Sequence, residues 1–130
     1  MTFRPVPAKF SPKLVIASMM AVALPLSPAA FAQVNDMQLS MEQQAAIRCS
    51  AAFAVVSTLQ ADGGASEYPE LGERGREFFV RSAAQIMEEE GADRAQIADL
   101  MRREAVELYD RERLDAVMPA CLLLLGASGL

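Results

Sequence analysis

Cys49 and Cys121 are the only thiols of the 130-residue chain, and no histidine accompanies them. Without a C-x-x-C spacing they suit one structural disulfide in an oxidising compartment better than redox exchange. Two separate thiols, one or both reactive, are the other reading. A bridge would close a loop of roughly 70 residues and contribute about 4 kcal/mol on the chain-entropy account. The missing histidine removes Ser-His-Asp and Cys-His nucleophiles, histidine-ligated haem and most zinc sites. Residues 33–130 hold no lysine for a Schiff base, no C-x-x-C-H and no phosphate-cradling glycine loop. No cofactor is expected.

The remaining polar chemistry is carboxylate and guanidinium. Glu67, Glu70, Glu73 and Glu77 cluster in one stretch, and Glu88, Glu89 and Glu90 stand consecutively. Such acids could hold calcium or form an acid/base pair, but no D-x-D-x-D-G loop supports calcium. The spacing favours a solvated face, because Glu70–Arg74, Glu77–Arg81, Asp99–Arg103 and Glu107–Arg111 are i,i+4 pairs in the favourable order. Arg74, Arg76 and Arg81 lie among acids and read as solvated charge rather than an anion grip. Phe78 and Phe79 could stack on a ligand, though at helical spacing they read as core. Catalytic residues are therefore not expected, and the chain reads as a non-enzyme.

The elements that position these residues begin after a leader. Arg4, Lys9 and Lys13 precede an apolar run from Leu14 to Leu24, then Pro25, Pro28 and Ala30-Phe31-Ala32. A basic start, a short apolar stretch and a small-x-small tripeptide form a Sec-type signal peptide, with cleavage expected after Ala32. An 11-residue helix spans about 16 Å, roughly half the ~30 Å of a bilayer core, too short for an uncleaved anchor. Nothing in residues 33–130 is long and apolar enough to cross a bilayer, so no stable membrane insertion is expected after cleavage. The product would be periplasmic or secreted. The chain has 12 basic and 17 acidic residues; the leader takes three basic ones and no acid, which leaves nine against 17, a net charge of −8. An acidic domain repels phosphate backbones and anionic lipid, so nucleic acid is not an expected partner.

Residues 33–40 read as a flexible segment, 41–126 as the helical domain and 127–130 as a loose tail. Abundant Ala, Leu, Met, Glu and Arg with few alternating runs favours helix throughout. Ser40 and Gln43 form a capping box for a helix over about 41–61. Its stripe is Ala45, Cys49, Ala52, Phe53, Val56 and Leu59. Ala51 and Val55 are apolar off that stripe, which marks a central helix. A second helix over about 71–90 carries Leu71, Phe78, Phe79, Ala83, Ile86 and Met87, with Gly72 and Gly75 weakening its start. Asp93 and Gln96 cap a third, with Ile97, Leu100, Met101, Ala105 and Leu108 inward. Asp110 caps a fourth that carries Leu114, Val117, Met118, Cys121, Leu122 and Leu125 and ends at Gly126. Pro119 should kink it or begin a new segment there. The expected fold is a small all-α antiparallel four-helix bundle with one disulfide joining its first and last helices. Leu123 and Leu124 lie off the last stripe, either covered by the tail and first helix or exposed for a partner.

The stretches Arg74-Gly75-Arg76-Glu77-Phe78-Phe79-Val80 and Met118-Pro119-Ala120-Cys121-Leu122, with the leader and Cys49, resemble a group of small uncharacterised exported proteins of Gram-negative bacteria. The resemblance covers most of residues 33–130 and implies export and helicity, but no activity or site. In size, helicity and single disulfide the chain is also similar to small periplasmic acid-stress chaperones, although its cysteines are further apart and no motif matches. The functional expectation is a non-enzymatic periplasmic factor, an envelope or stress accessory that binds another protein. A small apolar-ligand carrier with a pocket lined by Phe53, Phe78 and Phe79 is the alternative, and a Glu/Arg enzyme a third.

Overall fold

A computed structural model describes residues 37–130. The expected signal peptide, its cleavage after Ala32 and residues 33–36 of the leading segment lie outside the described residues. Four helices follow in order: α1 (Met41–Ala61), α2 (Gly72–Glu90), α3 (Arg94–Leu108) and α4 (Arg111–Ala127). Among the described residues there is no strand.

The helix starts follow local chemistry. At α1 the Ser40 hydroxyl accepts from the Gln43 amide at 3.1 Å, and the Gln43 side chain accepts from the Ser40 N–H at 2.9 Å. Asp93 and Gln96 form the same reciprocal box at α3, and the Asp110 carboxylate accepts from the Arg113 amide at the start of α4. Each box satisfies two donors that have no partner inside the helix. Gly91, in the left-handed region with φ 65°, closes α2.

Helix α1 is the hub, packing against α2, α3 and α4, whereas α2 and α4 hardly touch. Its apolar surface wraps most of its circumference, with Ile47, Cys49, Ala51, Ala52, Phe53, Val55 and Val56 all buried. Ala45, placed on the inward stripe by its spacing, is exposed instead. Ile47 and Ala51, one turn apart on an adjacent face, hold the buried positions there. The contacts give the helix directions. Gln43 at the start of α1 reaches Glu89 and Glu90 at the end of α2, at 2.9 and 2.8 Å. Further along, Phe53 meets Phe78 edge to face, with ring centroids 5.4 Å apart. Thus α1 and α2 are antiparallel.

Cys49 and Cys121 bring α1 and α4 together, with sulfurs at bonding distance and Cα atoms 5.1 Å apart. Helix α4 runs unbroken through Pro119, so no new segment starts there. Proline removes the donor for the Asp115 carbonyl, but Asp115 and Pro119 are both exposed and water can replace it. The helix continues one residue past Gly126 to Ala127, and Ser128 caps it, its hydroxyl donating to the Leu125 carbonyl at 2.6 Å. The chain end folds back, with Leu130 packed against the main core and its carbonyl accepting from Arg74. At the other end Met37 and Leu39 pack on the smaller cluster around Ile47, Ile86 and Ile97.

Candidate functional site

The acidic residues do not form one group: Glu89 and Glu90 share Gln43, and Glu67 and Asp115 share Arg111. Glu67 pairs with Arg111 of α4, while Glu77 pairs with Arg81 at 2.9 Å. Arg103 pairs with Asp99 at 3.5 Å, as its i,i+4 spacing predicts. Two predicted pairs differ. Arg74 turns to the Leu130 carbonyl instead of Glu70. Glu107 meets Arg113, because the break at residues 109–110 takes Arg111 off the line of α3 and onto Glu67 and Asp115. No group of three or more metal-ligating side chains converges among the described residues.

The shifted carboxylates move downward. Hydrogen bonds from Gln85 and Gln43 hold Glu89 below its ordinary range, and the Tyr68 hydroxyl, with Arg111, does the same for Asp115. Partial burial and then the Asp115 contact push Tyr68 up to about 12. Arg111 also lies 5.8 Å from the centre of the Tyr68 ring. This cluster fastens the loop between α1 and α2 to α4. Gln60 fastens the same loop from inside. Its amide donates to the Tyr68 and Pro69 carbonyls at 3.2 and 2.9 Å and accepts from the Leu71 amide at 3.2 Å. Nothing in its sequence neighbourhood marks Gln60 for this role, since the partners sit eight to eleven residues onward.

The aromatic trio does not line one pocket. Phe53 and Phe78 stack in the core, and Phe79 is half-buried beside a different space. That space is a cleft of about 350 Å³ between α1, α2 and α3, lined by Phe53, Phe79, Met101, Gly72, Gly75 and Ser50 among others. The Ser50 hydroxyl is buried and has no hydrogen-bond partner. Phe78 faces a separate groove of about 520 Å³ that also contains Ile86, Leu124 and Leu130.

The leucine run divides. Leu124 is half-buried against the main core, whereas Leu123 is 77% exposed. Leu123 is not alone. From Ala116 to Ala127 the helix carries neither a charged side chain nor a hydroxyl or amide one. Ala116, Pro119, Ala120, Leu123, Gly126 and Ala127 are exposed. At 100° per residue they share the side of α4 opposite Cys121 and Leu125. The result is an uncharged strip about 16 Å long, whereas the other large exposed apolar side chains, Met41, Val80, Val106 and Tyr109, lie on other segments of the chain. Sequence reasoning found Leu123 but missed the strip, because alanines and a proline between leucines carry little hydropathy signal singly.

Comparison with family models, with curated proteins and with solved structures produced no match. No helix among the described residues is long and apolar enough to cross a membrane.

Proposed function

We propose that the chain is an exported, non-enzymatic binding protein of the bacterial envelope, whose working surface is the outer face of α4. The observation that carries this reading is the strip from Ala116 to Ala127, apolar yet exposed. Contiguous exposed apolar surface is a candidate interaction site. The leader supports export, and the likeness of Arg74–Val80 and Met118–Leu122 to exported helical proteins agrees with it.

The occupant is an amphipathic helix of another protein. The strip is about 16 Å long and one helix wide, about 10 Å, a shape that matches a single helix rather than a broad face. Two acidic copies would also repel each other. A helix laid along the strip fits its length. Alanine and glycine let the two backbones approach, Leu123 supplies the anchor, and basic flanks on the partner would complement the acidic domain.

Site-specific photocrosslinking in cells tests this. A crosslinker at position 116, 120 or 123 should give one discrete adduct shared by the three positions, absent with the crosslinker at Gln85 or Arg102. Adducts of equal yield at all five positions, or none on α4, would overturn the assignment.

A further inference from the structure

We infer that the cleft between α1, α2 and α3 binds a small apolar molecule carrying one neutral hydrogen-bonding group, which Ser50 recognises. This site is separate from the α4 strip and does not depend on it.

One hydroxyl of the core is out of place. Ser50 is 1% exposed, on the most buried stretch of the central helix, and its oxygen has no partner. A buried polar group left unpaired destabilises the fold, and buried polar groups in native structures are nearly always paired. Alanine, the better helix former, occupies Ala51 and Ala52 next to it. What distinguishes position 50 is its place on the wall of the cleft.

The cleft has the build of a ligand site. Its volume of about 350 Å³ lies at the lower end of small-molecule pockets. The floor is aromatic and aliphatic, from Phe53, Phe79, Leu71 and Met101. Gly72 and Gly75 on the cleft wall let α2 approach α1 closely, with no side chain of their own entering the space. A Cβ at Gly75 would stand 2.7 Å from Phe53 Cβ, and one at Gly72 3.5 Å from Ser57 Oγ. Phe79 and Met101, both half-buried, line the cleft with Ser50. The Ser50 oxygen has under 1 Å² of exposed surface, so a ligand reaches it only when a lining side chain turns aside, and the Met101 thioether is the flexible one.

The chemistry of the occupant follows. An apolar floor selects a hydrophobic body of about ten non-hydrogen atoms for this volume. Arg76, the one charged residue of the lining, is exposed to solvent, and an ionised group at the depth of the buried Ser50 hydroxyl is disfavoured, so the recognised group is neutral: a phenol, an alcohol or a carbonyl.

Two probes separate body from head group: 1-naphthol, and naphthalene as the same body without the hydroxyl. They are titrated into the full disulfide-bonded domain and followed by amide NMR shifts. Naphthol should bind saturably, shifting residues around Ser50, Gly72 and Phe79, and about fivefold or more tighter than naphthalene, the effect of one neutral hydrogen bond. Ser50→Ala should erase that difference while raising the melting temperature of the free protein. Ala54→Phe, which fills the cleft from the exposed side of α1, should weaken both probes about tenfold. Absence of saturable shifts, equal binding of the two probes, or naphthol binding unchanged in Ala54→Phe would each overturn the inference. So would a lower melting temperature for Ser50→Ala, since it would show that the hydroxyl already has a partner within α1.

Discussion

Gly75 and Gln60 show how a single side chain, or its absence, sets what the helices around it can do. Read locally, Gly75 weakens the start of α2 by about 1 kcal/mol against alanine. In the fold it is buried, and an added Cβ would meet Phe53 at 2.7 Å. Overpacking of that kind costs about 1–3 kcal/mol and outweighs the propensity gain. Gly75→Ala is therefore expected to destabilise by about 1–2 kcal/mol in urea unfolding, against the helix scale. Gln60→Ala should cost about 1–3 kcal/mol, because the Leu71 amide loses its partner beside a fully buried side chain. Limited proteolysis should then cut within residues 62–70 before the helices. Neither role was legible in the sequence. A glycine's neighbours and a glutamine's distant partners belong to tertiary structure, whereas the capping pairs Ser40–Gln43 and Asp93–Gln96 were legible because both partners lie within one turn.

At the scale of elements, the link between α1 and α4 and the loop clamp carry the testable consequences. Reducing Cys49–Cys121, 72 residues apart, should lower stability by about 4 kcal/mol, a fall of ~15–30 °C in melting temperature for a domain of this size. Calorimetry with and without reductant measures it. The pH dependence follows from Asp115, Glu89 and Tyr68. Asp115 and Glu89 are held below their ordinary range in the fold. They stabilise above the unfolded carboxylate pKa, and this is lost as pH falls through the lower folded values. Tyr68 is shifted the other way, from 10.0 to about 12, so its stabilisation is complete below pH 10 and disappears as pH rises towards 12. Tyr68→Phe should flatten the alkaline limb and part of the acid limb of a stability–pH curve, whereas Gln43→Ala should flatten the acid limb alone. The inward stripes of α2, α3 and α4 were legible from helical spacing, including Leu114, Met118, Cys121 and Leu125. The continuity of α4 through Pro119 was not, because it depends on that position facing water.

At the scale of the molecule, the described residues form an acidic four-helix domain around a central α1, a class and arrangement that helical spacing, short links and paired cysteines made legible. Its candidate surface was only half so. The off-stripe Leu123 could be found from periodicity, but whether it joined Ala116, Pro119, Ala120 and Ala127 in one exposed strip depended on how α4 sits on α1. The cleft at Ser50 was illegible, since a serine among alanines looks like a tolerated small residue until its hydroxyl is seen without a partner. At this scale Leu123→Asp is expected to leave melting temperature within about 2 °C, the effect of an ordinary surface change, and to abolish the crosslinked adduct from position 120. Everything proposed for the α4 strip rests on a domain that has been exported and closed by its bridge. Intact-mass spectrometry of protein recovered from the envelope or medium, alkylated with and without prior reduction, measures both properties at once. The expected chain begins at Gln33 and is untouched by alkylation until reductant adds two daltons and opens both cysteines. A chain retaining Met1, or Cys49 or Cys121 alkylated without reductant, would contradict it.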